Sequence, residues 1–176
     1  MAIEDKLKGT RSEFRPEDFT PTKWSSAEEK AKIANKLTWF ILGGFQRSAF
    51  TKDIYQQLSN MFGHIAHYNI NGFYETWFAD VKACNDWVEH ITSNWLSGMG
   101  DPRFTWSDVE KVLLQWIKEQ HLAEQLEQLH RSDIEQKELA LLSALQQKYA
   151  PRVEEADLIP VEFPATQCPT KQLSLF

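Results

Sequence analysis

The spacing of the apolar residues is the feature that most constrains the fold of this chain. Large apolar side chains recur every three to four residues along most of the sequence, which places them on one face of an α-helix. Runs in which β-branched and polar residues alternate, as in a half-buried strand, are scarce. The sequence therefore predicts an all-α fold, a compact bundle of about five helices.

Capping residues predict where the first helix begins and ends. Ser25 or Ser26, followed three residues later by Glu28 or Glu29, forms a capping box. In this motif the serine oxygen accepts from a free backbone N–H, and the glutamate accepts from the N–H of the serine. The glycine pair at 43–44 is typical of a helix C-terminus.

Similar signals predict the other helices. A second helix starts near Thr51, and a third covers approximately residues 73–96, where the apolar spacing continues without interruption. A fourth starts near Ser107. The segment Ser132–Glu135 is another capping box, so we expect a break near His130–Arg131 and a fifth helix after it.

Proline-containing segments flank the expected helical domain, residues 25–150. Residues 1–24 carry prolines and no apolar period, which predicts an extended arm, and residues 151–171 are proline-rich, which predicts a flexible linker to residues 172–176. Three aromatic residues are expected to hold the arm against the core: Phe14, Phe19 and Trp24.

The composition is that of an ordinary globular protein, with 42% hydrophobic residues and a net charge of −6. This acidity argues against a broad phosphate-binding surface, which needs clustered Lys and Arg. The sequence contains no apolar run long enough to span a bilayer, and its first ten residues lack the apolar region typical of a signal peptide, so we expect neither a membrane span nor a signal peptide. Cys84 and Cys168 do not have the spacing of a disulfide framework or zinc motif, so we predict a reduced, cytoplasmic protein.

The final five residues of the sequence are Gln172, Leu173, Ser174, Leu175 and Phe176, an apolar peptide after a polar stretch. This string resembles the short peptide by which bacterial replication and repair proteins dock on the β sliding clamp, the ring that holds polymerases on DNA. The family pattern is Gln-Leu, then Ser or Asp, then Leu-Phe, and all five positions match it. The resemblance covers only this peptide and implies nothing about the fold of the helical domain.

The resemblance implies a role for each position of this clamp-binding peptide. Gln172 would form hydrogen bonds at the rim of the clamp's groove, and Leu173 would occupy a shallow part of it. Ser174 would face outward as a spacer. Leu175 and Phe176 would fill the deep apolar pocket, with a total affinity in the micromolar range. Residues 151–171 would then act as a tether.

These features predict a non-catalytic interaction protein that docks on the β sliding clamp. It would act in DNA replication or DNA repair, or modulate replication as a mobile-element or phage protein, and it would reach DNA indirectly through the clamp. The alternative is a helical nucleic-acid-binding or regulatory protein whose C-terminal tail packs on its own domain. The oligomeric state is open, and a dimer would accommodate the high aromatic content.

Metal and cofactor signals are weak. His64 and His67 lie one helical turn apart and are the candidate metal ligands. A third ligand would have to come from His90, Glu75 or Glu89 across the bundle, and nothing in the sequence requires this arrangement. Partly exposed histidines between helices are the favoured interpretation, so we predict no metal and no cofactor. The Glu127-x-x-His130 pattern lacks the second copy that a di-iron bundle needs, which predicts a solvated helix face.

Signals for catalysis and direct DNA binding are equally weak. Motifs for a phosphate loop or an activated nucleophile are absent, which predicts that the protein is not an enzyme. A helix-turn-helix can be drawn over residues 51–77, but its second helix is poor in Lys and Arg. Six tryptophans are expected in the core rather than stacked on bases: Trp39, Trp77, Trp87, Trp95, Trp106 and Trp116. Five cations form either the nearest approach to a basic patch or an ordinary solvated surface: Lys30, Lys32, Lys36, Arg47 and Lys52.

Overall fold

The computed structural model describes residues 7–10, 13–65, 69–94 and 96–154, without the side chains of residues 64 and 150–154. Over these residues the chain is helical and contains no strand, which confirms the predicted all-α fold. The α-helices are α1 (Ala27–Leu42), α2 (Lys52–Met61), α3 (Ile70–Trp77), α4 (Val81–Ser93), α5 (Ser107–Glu119) and α6 (Leu122–Glu154). The chain divides into two compact units, residues 1–136 and residues 137–176.

The predicted starts of α1 and α2 are confirmed. The Ser26 hydroxyl accepts from the Glu29 backbone N–H at 3.2 Å, and the Glu29 carboxylate accepts from the Ser26 N–H at 3.0 Å. This reciprocal pair is a complete capping box. Thr51 caps α2 by accepting from the Ile54 N–H. Each of these signals is contained within one helical turn, which is why the sequence predicts them well.

The single helix predicted over residues 73–96 is wrong, because two helices occupy this part of the chain. α3 ends at Trp77, and Asp80 caps α4 by accepting from the Ala83 N–H at 2.8 Å. At the other end of α3, the Asn69 side chain accepts from the Gly72 N–H at 2.7 Å and begins that helix. The apolar period runs through both helices, so it does not reveal the break between them.

The break predicted near His130–Arg131 is also wrong. The chain turns at His121, whose φ of +52° is left-handed, and α6 then continues without interruption to Glu154. The predicted capping box Ser132–Glu135 lies inside α6. Helix also extends through residues 151–154, past the expected end at Pro151, whereas the rest of the predicted linker lies outside the described residues.

The core of the first unit is rich in aromatic rings that meet around Phe78. Its ring lies 5.2–5.9 Å, centroid to centroid, from six others: Phe40, Phe45, Phe50, Phe73, Tyr74 and Trp87. Most of these pairs are edge-on or tilted, the arrangement that aromatic quadrupoles favour. Aromatic packing therefore joins α1, α3 and α4 with the loops that follow α1 and α3.

The N-terminal arm is fastened by both apolar contacts and hydrogen bonds. Phe19 is buried and Phe14 half-buried, as predicted, but Trp24 is 73% exposed, so its predicted role in holding the arm is wrong. The Phe14 backbone exchanges two hydrogen bonds of 2.9 Å with the Asn35 side chain. Further along the arm, the indole N–H of Trp116 donates to the Thr10 carbonyl at 3.2 Å. Polar side chains of the helices thus satisfy backbone groups that an extended arm leaves free.

In the second unit, the described residues are the part of α6 from Lys137 to Glu154. From residue 137 to residue 149 every side chain is exposed. Within the described chain, none of the helices combines the length and apolar character that crossing a membrane would require.

Candidate functional site

The residues predicted to carry function fall largely outside the described part of the chain. The clamp-binding peptide, Gln172–Phe176, and His67 lie outside it, as does the side chain of His64. The clamp-binding role and the weak metal candidates therefore stay predictions. Among the described residues, no group of three or more His, Cys, Asp or Glu side chains is arranged to hold a metal ion.

The strongest polar constellation in the described structure surrounds Lys30. Its side chain is 0% exposed, and its ammonium group lies 2.9 and 3.0 Å from the two carboxylate oxygens of Asp108. The same group donates to the carbonyls of Pro102 and Thr105, each at 3.0 Å. The Trp106 ring lies beside it, 5.9 Å from the nitrogen to the ring centroid. Every direction in which the ammonium can donate is therefore satisfied within the protein.

Asp108 connects this constellation to the N-terminal arm. One carboxylate oxygen accepts from the Thr20 backbone N–H at 2.9 Å, and the other accepts from the Val109 N–H at 2.9 Å. Lys30 stands on α1, Asp108 stands on the first turn of α5, and Thr20 belongs to the arm. The Lys30 side chain is 0% exposed and that of Asp108 is 13% exposed, so this largely buried ion pair favours one arrangement of the three segments, because removing either partner leaves the other without its counter-ion.

This geometry corrects the proposed basic patch. Lys30 is a buried residue, so it cannot contribute to a surface field. Lys36 pairs with Asp53 at 3.1 Å, and the Arg47 guanidinium lies 5.0 Å from the Tyr74 ring centroid. The remaining members of the patch, Lys32 and Lys52, are exposed. The five cations therefore do not form one continuous basic surface, because Lys30 is buried and Lys36 and Arg47 are engaged by neighbouring side chains.

Glu110 is a second buried charge in the same region. Its carboxylate accepts from the Gly98 backbone N–H at 2.5 Å, and its side chain is largely removed from solvent. Burial raises the pKa of this carboxyl; the Gly98 hydrogen bond opposes the shift and the Asp108 charge adds to it. Gly98 has a φ of +77°, where a Cβ would lie 2.8 Å from Lys111 Cγ, so this turn favours glycine.

A cleft of about 300 Å³ lies between exposed parts of α1, α2 and the loop before α5. Its walls include two tryptophans, Trp24 and Trp106, and two lysines, Lys32 and Lys36. The side-chain oxygen of Gln57, another lining residue, is buried and has no hydrogen-bond partner. Two carboxylates also line the cleft: Glu29 and Asp53. Planar apolar walls are suited to stacking a flat ligand, and the charges beside them are of both signs.

A larger cleft of about 610 Å³ lies near the turn between α5 and α6. Polar and charged residues line it, among them Glu89, Lys118, His121 and Glu124. The His121 ring nitrogen Nδ1 lies 3.7 Å from a Glu124 oxygen, which is an exposed pair. Ser93 also lines this cleft, and its hydroxyl donates to the His90 carbonyl at 3.3 Å rather than to a side-chain base.

The tryptophans and the buried cysteine were predicted with mixed success. Trp87 and Trp116 are buried as predicted, and Trp77 and Trp106 are half-buried, but Trp39 is 55% exposed. Trp95 lies outside the described residues. The expected core position of Cys84 is confirmed, and burial raises the pKa of its thiol to about 12, which leaves it protonated and unreactive.

The sequence interpretation assigned Glu127 and Lys30 to solvent, and the structure agrees for only one of them. Glu127 is exposed and pairs with Arg131 on the same helix, as expected for a solvated face. Lys30 is the residue whose importance was missed. It shares the spacing of the buried residues Ala34, Leu37 and Ile41, and this spacing is the signal that could have placed it inside.

Comparison with models of protein families, with curated proteins and with solved structures finds no match to this chain. Its function is therefore inferred from its own residues.

Proposed function

We propose that this protein is a non-catalytic interaction protein that docks on the bacterial β sliding clamp through Gln172–Phe176. The observation that carries the proposal is the match of all five positions to the clamp-binding pattern. From average residue usage, such a match at one chosen position is expected on the order of once in a million. The protein would act in DNA replication or repair, or would modulate replication as a mobile-element or phage protein.

The chemistry of the peptide supports this role. Leu175 and Phe176 provide adjacent large apolar groups, each worth about 1.5–3 kcal/mol when buried in a pocket. Gln172 adds a side chain that can both donate and accept hydrogen bonds at the pocket rim. After the costs of association, the affinity should lie in the micromolar range, which permits exchange with other clamp clients.

The charge of the chain is compatible with indirect access to DNA. A net charge of −6 disfavours broad contact with phosphates. A protein that holds the ring around DNA needs little positive charge of its own. The helical units would then be brought to DNA by the peptide, with residues 151–171 as the connecting segment.

The test measures binding of the full chain to purified β clamp by surface plasmon resonance. Replacing both anchors, Leu175→Ala with Phe176→Ala, should weaken binding by about 100-fold or more, because both pocket contacts are lost. Ser174→Ala is the matched control, since an outward-facing spacer should change affinity by less than about threefold. Equal binding by the anchor variant and the full chain, or no binding by the full chain, would overturn the proposal.

A primer-extension assay with clamp-dependent polymerase separates the two forms of this role. A modulator that occupies the polymerase's groove should slow synthesis, and the anchor variant should restore the rate. A recruited repair or replication factor should bind the clamp and leave the rate of synthesis unchanged at moderate concentrations.

Exposed aromatic groups favour a second candidate function, direct binding of single-stranded nucleic acid. Trp24 is 73% exposed, with the Lys23 ammonium 5.8 Å from its ring centroid, and it lines the cleft with Lys32 and Lys36. A base stacked on Trp24 would place its phosphates near these lysines. This candidate predicts salt-dependent binding of oligonucleotides that survives loss of residues 172–176 and falls about tenfold or more in Trp24→Ala.

A further inference from the structure

The second unit presents an apolar helix face to solvent. Between residues 137 and 149 of α6, five large apolar side chains are 43–64% exposed: Leu139, Leu141, Leu142, Leu145 and Tyr149. Isolated exposed leucines are common, but a contiguous set on one helix marks an interaction surface.

Four of these side chains form one stripe. At about 100° per residue, Leu141, Leu145, Tyr149 and Leu142 lie within roughly 100° of arc around the helix axis. This is the width of the apolar face with which a helix packs against a partner helix. The opposite side of the same turns carries small or polar residues, including Ser143 and Gln147.

The charges at the ends of this stripe favour a second copy of the same helix. Glu138 lies within the arc at the N-terminal end, with Lys137 beside it at the edge of the arc, and Lys148 lies at the C-terminal end, about 15 Å from Glu138 along the axis. Residues 139–147, between them, carry no charged side chain. The Lys148 ammonium lies 5.3 Å from the Tyr149 ring centroid, so this cation stands beside the stripe.

We infer that residues 137–149 of α6 pair with the same residues of a second copy in antiparallel orientation. The two helices cross at the level of Ser143 along their axes, although the Ser143 side chain points away from the interface. Leu141 of each copy then faces Leu145 of the other, and two Glu138–Lys148 contacts form. A parallel pair would instead place Glu138 against Glu138 and Lys148 against Lys148, which is unfavourable. The pairing is independent of residues 172–176 and goes beyond the proposed clamp-binding function.

The first test measures the oligomeric state of the full chain by sedimentation velocity over a range of concentrations. The full chain should form a dimer. Leu141→Glu with Leu145→Glu should raise the dimer dissociation constant by about 100-fold or more, because two charges enter the paired face from each copy. Ser143→Glu with Gln147→Glu is the matched control: it adds the same charges at the same spacing on the opposite side and should leave the constant within about threefold.

The second test addresses orientation. Glu138→Lys alone and Lys148→Glu alone should each weaken the antiparallel dimer by about tenfold, since each creates two like-charged contacts. The double exchange, Glu138→Lys with Lys148→Glu, should restore the affinity of the full chain. This rescue keeps the inference testable even if the glutamate variants at the leucines lose helix content, which circular dichroism would report.

Three results would overturn the inference. The first is a chain that stays monomeric at every accessible concentration. The second is a dimer unaffected by charges at Leu141 and Leu145. The third is a monomer in which residues 139–149 are protected from hydrogen exchange only when residues 155–176 are present, which would assign the face to the chain's own C-terminal segment.

Discussion

Helix α6 contains two pairs of leucines with the same spacing and opposite surroundings. Leu122 and Leu126 are completely buried in the first unit, whereas Leu141 and Leu145, later in the same helix, are largely exposed. The local pattern is identical, since each pair spans one helical turn. Apolar spacing therefore identifies a face that can be buried, whereas a neighbouring segment decides whether it is buried.

The first unit illustrates how far that burial extends. Its core encloses a ring cluster around Phe78 and also takes in the ammonium group of Lys30, for which it supplies Asp108 and two carbonyls. Between residues 137 and 149 of the second unit there are several apolar residues, and none of them is buried. The first unit therefore has a buried core of its own, whereas residues 137–149 of the second present an apolar face to solvent.

The largest expected effect comes from removing the buried cation. Lys30→Met should lower the free energy of unfolding by about 3–5 kcal/mol, because Asp108 is left buried without its cation. Urea denaturation measures this change. Lys32→Met, at an exposed position two residues later, is the control and should change stability by less than about 0.5 kcal/mol. Similar values for the two variants would contradict the enclosed environment of Lys30.

The leucine pairs of α6 allow the comparison to be tested with one substitution. Leu126→Ala should cost about 2–5 kcal/mol, because it removes a fully buried side chain and leaves a cavity. Leu145→Ala should cost less than about 0.5 kcal/mol when measured by urea denaturation at a protein concentration where the chain is monomeric. A large cost at Leu145 in the monomer would show that its face is covered within the chain.

The two predicted capping boxes also share one sequence pattern and have different structural surroundings. Ser26→Ala should destabilise the protein by about 1 kcal/mol, since Ser26 accepts from the Glu29 N–H at the start of α1. Ser132→Ala should be neutral or stabilise by up to about 0.5 kcal/mol, because Ser132 lies inside α6 and alanine favours helix. Thermal or urea unfolding of both variants measures the difference, and a loss at Ser132 equal to that at Ser26 would indicate a helix break near residue 131.

The smallest expected effects are two pH dependences, and the first of them comes from Glu110. Burial raises the pKa of this carboxyl in the folded protein, so the folded state holds the proton more tightly than the unfolded state. The stability of the natural chain relative to Glu110→Gln should therefore fall as pH rises from the ordinary glutamate pKa through the raised value, and then level off. Urea denaturation at a series of pH values measures this slope.

The pKa of Asp101 is shifted in the opposite direction from that of Glu110. Hydrogen bonds from the Arg103 side chain and backbone lower the pKa of this carboxyl to about 2. Its contribution to stability is present above the ordinary aspartate pKa and is lost as pH falls toward about 2. Asp101→Asn should remove that loss, whereas an identical pH profile for Asp101→Asn and Glu110→Gln would contradict both assignments.

The parts of the fold that the sequence predicts are those determined within one helical turn. Ser26 with Glu29, and Thr51 with Ile54, are close in sequence, so their capping bonds follow from residue type and spacing. The break after α3 and the turn at His121 interrupt continuous apolar periods, so these periods do not predict them. The left-handed backbone at His121 is also hard to predict, because the residue there is not a glycine. Their positions depend on how the helices pack.

The candidate functional residues also differ in whether they can be recognised from neighbouring sequence positions. The peptide Gln172–Phe176 can be recognised from five consecutive residues, without any knowledge of the fold. The environment of Lys30 depends on Pro102, Thr105 and Asp108, which lie more than 70 positions along the chain. Sequence spacing can place Lys30 on the inner face of α1, but only the fold brings these oxygens to it.

The enclosure of Lys30 also determines which chemistry can reach its amine. Acylating reagents, and enzymes that acylate lysines, need access to an unprotonated nitrogen, and this one is fully buried and donates to oxygens on the loop before α5 and on α5 itself. In the native protein, Lys32 and Lys52 should be labelled readily while Lys30 stays unmodified. Acylation at Lys30 would therefore report the opening of the contacts between α1 and α5.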